Sequence, residues 1–187
     1  MVYTNLLRQK TLCRMNKEEG LLLHLMQHYL FGKTEQRTIN ADYKIDWHDV
    51  YGLAIRQGVS AILLDAISRL PNDERPPKFL LLQWIGQTTM MERMYARHKE
   101  RIVSLAELYG QQGIRMLLLK GYGCSLCYPR SEHRPTGDID VYLFGKQKEA
   151  DALAEKRLDI QVHSEYHKHS TFNYGGVEVE NHAKFID

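Results

Sequence analysis

At Gly113 the spacing of apolar residues changes, and with it the kind of structure the chain can build. Before that point apolar side chains recur three and four residues apart, the period of a helix with one buried face. After it come short apolar runs bounded by glycine and polar residues, as strands require. A chain of 187 residues, 43% of them apolar, holds enough for one ordinary domain or two small ones. The expected class is α+β: a helical region over residues 1–113, then a small α/β unit with a mixed sheet over residues 114–187.

In the first region, the spacing of Leu21, Leu22, Leu25, Met26 and Tyr29 predicts a helix over Lys17–Phe31. Asp46 is placed to cap a second helix, with Val50, Leu53, Ala54 and Ile55 on its apolar face and Gly58 ending it. Val59 to Leu70 follows as a third. Pro71, Pro76 and Pro77 mark a solvated connection between helices, and Phe79 to about Gln112 forms a long helix with Glu92, Arg93, Arg97, Lys99, Glu100 and Arg101 outward. Tyr29, Phe31, Trp47, Tyr51 and Trp84 lie on apolar faces and read as core.

In the second region Ile114 to Leu119 reads as a buried strand, Gly121 to Tyr128 as a short helix ended by Pro129, and Ile139 to Leu143 as a second strand. Lys146 to Arg157 is an exposed helix. Ile160 to Tyr166, Ser170 to Tyr174 and Val177 to His182 are strands, the last two joined by a tight turn at Gly175-Gly176. The sequence stops at Asp187, shortly after a strand, so a fold of this type is expected to be incomplete there and the natural protein to continue.

Charge and cysteine content narrow the setting. A net charge of +2 from 25 basic and 23 acidic residues provides no broad field for nucleic acid or anionic membrane, so any anion must be met by a local cluster. No apolar run is long enough to span a bilayer, the N-terminus lacks the order of a signal peptide, and three cysteines make no disulfide framework. A cytoplasmic setting without membrane attachment is expected. Cys124 and Cys127 match C-x-x-C but read as packing residues, because no second cysteine pair completes a zinc site. His163, His167, His169 and His182 fit no standard zinc spacing. They read as surface residues, with His167 and His169 on one strand face that could border a site.

Gly137-Asp138-Ile139-Asp140-Val141-Tyr142-Leu143 carries the most chemistry. Residues two apart on a strand share a face, so Asp138 and Asp140 should project together while Ile139 and Val141 enter the core. Two adjacent carboxylates repel unless a cation lies between them or one is protonated, and a hard divalent ion is the usual solution. A bare D-x-D is more often a cap and an exposed strand residue. Here it opens an apolar strand, downstream of a strand that meets a helix through Lys120-Gly121. Backbone amides at such a junction can receive phosphate, with Gly121 allowing close approach and Lys120 and Arg134 neutralising charge.

These residues, from the first strand through Arg134-Pro135-Thr136-Gly137-Asp138-Ile139-Asp140, resemble the signature of the polymerase-beta-type nucleotidyltransferase superfamily. More narrowly, Leu118-Leu119-Lys120-Gly121, Tyr128-Pro129 and Arg134 to Asp140 resemble a little-characterised bacterial family with an L-K-G, Y-P, R-x-x-x-D-I-D series. The stretch from Asp46 through Trp47, Leu53 and Ala54 to Gly58-Val59 is similar to that family's helical region. The resemblance implies a nucleotidyltransferase-type core that moves a nucleoside monophosphate from a nucleoside triphosphate, ATP by default, to an acceptor that is a small molecule, protein or RNA. It implies Mg2+ or Mn2+ held by Asp138, Asp140 and an acidic residue of a later strand. Glu180 in Glu180-Asn181-His182 fits that place better than Glu178. The triphosphate would meet Lys120, Gly121, Arg134 and Gly137. Lys120-Gly121-Tyr122 stands where the superfamily has two small residues, glutamate stands at the third acidic position, and Asn181 stands where an apolar residue is commoner. The alternatives are a nucleotide- or metal-binding module without turnover, and an interaction scaffold within a larger protein.

Overall fold

A computed structural model of the protein describes residues 15–32, 45–165 and 169–184. Its contacts divide the chain into two units, Met1–Gln87 and Thr88–Asp187, the division falling inside one long helix.

The first unit is helical, and its helix ends are set locally. Helix α1 (Lys17–Phe31) opens on a capping box. Asn16 Oδ1 accepts from the Glu19 amide at 2.8 Å, and Glu19 Oε2 accepts from the Asn16 amide at 2.9 Å. Such a cap contributes about 1 kcal/mol. Helix α2 (Trp47–Arg56) starts at Asp46, whose Oδ1 accepts from the His48 amide at 2.9 Å. Gly58, at φ +66°, separates it from α3 (Ser60–Ser68). Leu21, Leu22, Leu25, Val50, Ala54, Leu63, Ala66, Ile67 and Trp84 form the core, and the Trp84 indole N–H donates to the Ser60 carbonyl at 2.8 Å. Of the aromatics expected there, Tyr29, Trp47 and Tyr51 pack against the core and Trp84 is buried. Phe31 is not: it is 70% exposed. It lies six residues beyond Leu25, about 240° round a helix that advances about 100° per residue, and so leaves the buried stripe.

Helix α4 (Lys78–Gly110) runs from the first unit into the second, where Ile102, Leu105 and Tyr109 join the core of a five-stranded sheet. The strands are β1 (Leu117–Leu118), β2 (Ile139–Tyr142), β3 (His163–Glu165), β4 (His169–Tyr174) and β5 (Val177–His182), in the spatial order β1-β2-β5-β4-β3. The β2–β5 pair is parallel and the others are antiparallel, giving the mixed sheet that the sequence implies. Gly175 and Gly176, at φ +59° and +84°, close the β4–β5 hairpin in the mirror-image turn that matches strand twist.

Four elements differ from expectation. The run from Ile114 is paired only at Leu117–Leu118, at the sheet edge, and Leu117 is 41% exposed rather than buried, because an edge strand has one neighbour. The expected helix over 121–128 is the single turn α5 (Tyr122–Ser125), and the strand expected from Ile160 begins only at His163, as β3 at the opposite edge, its expected end at Tyr166 lying outside the described residues. Helix α6 (Gln147–Leu158) is exposed on one side only, since Ala150 and Ala154 are buried in the core.

Alternation along β5 and β4 sorts their side chains. Val177, Val179 and Asn181, with Ser170 and Phe172, are buried on one face together with Ile139 and Val141. The other face carries Asp140, Glu180, His182, His169 and Thr171.

Candidate functional site

Strand register assembles the site. Parallel pairing sets Asp140 beside Glu180 and Tyr142 beside His182, and His182 is two residues beyond Glu180, so all four share a face. His182 Nε2 lies 3.1 Å from Asp140 Oδ1 and 3.3 Å from Glu180 Oε2. Lys120, in the turn after β1, brings Nζ to 3.0 Å from the same Asp140 Oδ1. The Asp140 side chain is completely buried while that of Lys120 is 61% exposed, so a fixed carboxylate is neutralised by a cation on a long, largely solvated stem.

Asp140 Oδ2 is buried and has no hydrogen-bond partner. An unpaired oxygen on a buried carboxylate is costly to maintain, and a cation set against Asp140 and Glu180 would relieve it. Asp140, Glu180 and His182 each offer a ligand atom within 4.8 Å of the other two, so these residues fit a metal ion. The electrostatics agree. Burial, then Asp140, pushes the Glu180 carboxyl above its usual range. The hydrogen bond to Asp140, together with the charges of Asp140, Asp138 and Glu180, raises the Lys120 ammonium.

The other expected site residues surround this group. Asp138 is half-buried, one residue before β2, and is not among the three converging donors. Gly121 takes φ +57° and ψ −109°, and a Cβ there would lie 3.4 Å from the Asp138 carbonyl, so glycine lets the two loops pass closely. Arg134 Nη1 donates to the Gly121 carbonyl at 2.9 Å and to that of Pro135 at 3.1 Å, bracing the turn with its guanidinium. The Gly123 amide is engaged by the Lys120 carbonyl at 3.2 Å, and Gly137 is exposed. Behind this loop, buried His98 holds Nε2 2.8 Å from the Gly137 carbonyl and Nδ1 2.9 Å from that of Met94.

Several contributions are not evident from spacing. Alternation put His182 on the Glu180 face, but its contact with Asp140 depends on the β2–β5 register, which no local pattern specifies. Asn181 is buried with the valines, and its Nδ2 donates to Asp151 Oδ1 at 2.7 Å and to the Tyr109 hydroxyl at 3.4 Å. His98 carries no motif. Of the remaining histidines, His163 is exposed as expected, His169 packs its ring 5.5 Å from that of His182, and His167 falls outside the described residues. Cys124 and Cys127 are exposed rather than packed, because α5 is one turn with its outer side toward solvent. A second acidic group, Glu92, Glu132 and His133, is already crossed by Arg130, whose Nη2 lies 2.9 Å from Glu92 Oε1 and 3.2 Å from Glu132 Oε1.

Among the described residues no helix is long and apolar enough to cross a membrane. The family described as uncharacterised nucleotidyltransferase matches this chain over residues 43–187. No curated protein and no solved structure matches it.

Proposed function

Because this chain belongs to the uncharacterised nucleotidyltransferase family, we propose that it transfers a nucleoside monophosphate from a nucleoside triphosphate, ATP by default, to an acceptor hydroxyl. A divalent ion, Mg2+ or Mn2+, would be held by Asp138, Asp140 and Glu180. The observation that carries this reading is the buried Asp140 carboxylate, one oxygen unpaired, set beside Glu180 and a lysine. A bound divalent ion supplies charge neutralisation on the phosphates and favours the ionised form of the acceptor hydroxyl.

In this reaction the acceptor oxygen bonds to the α-phosphorus, the bond from that phosphorus to the bridging oxygen breaks, and pyrophosphate leaves. The hydroxyl proton would pass to Glu180, the carboxylate set beside Asp140 across the β2–β5 pair. Lys120 is long and exposed enough to turn from Asp140 to a phosphate, and Gly121 and Gly137 keep the neighbouring backbone open. Residues 1–113 would be the helical region that precedes the catalytic unit, and the acceptor would be a small molecule, a protein or an RNA.

Calorimetric titration of ATP with magnesium into the chain and into an Asp138→Ala, Asp140→Ala variant tests this. Binding to the first and none to the second, both folded, supports the site, and transfer of label from an α-labelled triphosphate supports turnover. A module that binds nucleotide without turnover is favoured by one observation: Arg134 and the Gly123 amide, which could grip phosphates, are spent on backbone carbonyls. Binding without any labelled product across an acceptor screen would decide for that module.

A further inference from the structure

We infer that the ion taken by this site is a first-row transition-metal dication rather than magnesium, with His182 as a direct ligand beside Asp140 and Glu180. The inference rests on the metal-dependent reading above and adds the ion's identity and a nitrogen donor.

The three donor atoms are brought together by backbone register rather than by chance side-chain placement. Asp140 and Glu180 are direct partners across β2–β5, and His182 follows Glu180 by one full strand repeat. His182 Nε2 is within 3.3 Å of Glu180 Oε2 and 3.1 Å of Asp140 Oδ1. An independent sign of a missing partner is Asp140 Oδ2, which is buried without a hydrogen bond on a residue only 1% exposed.

Donor chemistry then selects the ion. Magnesium is hard, binds oxygen and retains several waters, so an imidazole contributes little to holding it. Manganese, iron, cobalt and zinc accept imidazole nitrogen with affinities that rise along the series. A site in which an imidazole joins the carboxylates therefore separates these ions from magnesium, whereas carboxylates alone would separate them much less. The ammonium of Lys120 opposes any dication through its charge, lowering affinity for all of them without discriminating. The group at Glu92, Glu132 and His133 has a comparable donor set and its own cation in Arg130, but no buried carboxylate oxygen left without a partner.

The competing role for His182 is to orient Asp140 by a hydrogen bond without touching the ion. The two roles separate in a titration of the full chain with MnCl2, followed by loss of the free-ion paramagnetic resonance signal, alone and against MgCl2. The inference expects wild type to favour manganese at least about tenfold, with His182→Gln losing most of that preference because its affinity for manganese falls far more than its affinity for magnesium. Electron spin echo spectra of the wild-type manganese complex should show modulation from a directly bound histidine nitrogen, a readout that does not depend on how the variant folds. Equal affinity for both ions, an equal loss of both in His182→Gln, or absence of that modulation overturns the inference and leaves the nucleotidyltransferase reading standing. Failure of wild type to bind either ion, with or without ATP, overturns both.

Discussion

Asp140 and Asp151 are carboxylates on opposite faces of one sheet, joined through neighbouring residues of β5, and the fold treats them differently. Each oxygen of Asp151 has a donor: Ser170 Oγ lies 2.8 Å from both, and Asn181 Nδ2 is 2.7 Å from Oδ1. Those donors come from β4, β5 and their packing against α6, so both oxygens of this carboxylate are satisfied from within the fold. Asp140 is more deeply buried, yet both of its partners, Lys120 and His182, fall on Oδ1 and leave Oδ2 bare. Of the two carboxylates, the one satisfied by the core serves the core. The one left half satisfied is where a ligand gains most.

The largest effect should come from Asp140→Asn. Removing the charge lowers affinity for a metal–nucleotide complex by at least about 100-fold. Without ligand the variant should be as stable as wild type or more so, because a buried charge with an unpaired oxygen is relieved. Parallel calorimetric titrations and urea melts measure both. A clear loss of ligand-free stability with binding intact would reverse the assignment and make Asp140 the structural carboxylate.

Asp151→Ala should do the opposite. It removes the acceptor for Ser170 and Asn181 while leaving their polar atoms buried, a cost of about 2 kcal/mol in a urea melt. Metal affinity should stay within about twofold of wild type, since Asp151 lies beyond the sheet from the donors. A matching loss of affinity would show that the network on the core face holds the site in place.

That division was only partly legible in the sequence. Alternation in Val177-Glu178-Val179-Glu180 assigns faces correctly, and Gly175-Gly176 marks the hairpin, because both are local rules. The capping residues Asn16 and Asp46 act within one helical turn, and Asp46 is readable for that reason. The parallel β2–β5 register is not local. It joins residues about forty positions apart, and from it follows the contact of His182 with Asp140, while the packing of α6 sets that of Asn181 with Asp151. Asn181 therefore reads as a polar misfit until α6 and Tyr109 are seen to supply its partners. Edge strands β1 and β3 were expected to be longer for a related reason: an apolar run signals burial, whereas pairing on one side only sets where a strand stops.

The hairpin turn holds both faces in register, since Ser170 pairs with Asn181 on one and His169 with His182 on the other. Gly176→Ala should cost about 1 kcal/mol, from backbone strain at φ +84° alone, because a Cβ there meets nothing within 4 Å. Stability should fall by urea melt while metal affinity and selectivity hold. A selective loss of metal binding would mean that the site face is less firmly registered than the core face.

The smallest effect is a pH dependence. Burial is the main cause that raises the Asp151 carboxyl above its ordinary 3.8, with the nearby Glu155 charge adding to it and the bonds from Asn181 and Ser170 opposing it. Between 3.8 and the raised folded value, the folded chain holds more protons than the unfolded one, so stability falls as pH climbs through that window. Below it both states are protonated, and above it the loss is constant. Asp151→Asn keeps an amide oxygen to accept from Ser170, and an Asn181 amide turned over could accept from the new N–H through Oδ1, which now has no partner. Wild type minus variant, from urea melts across acidic to neutral pH, should therefore decline on raising pH, and the raised Glu180 carboxyl, common to both chains, cancels. The change should be modest because Asp151 is only half-buried and solvent screens it. A difference that rises with pH would mean that Ser170 and Asn181 outweigh burial and hold Asp151 as a well-solvated anion, which would sharpen its contrast with Asp140.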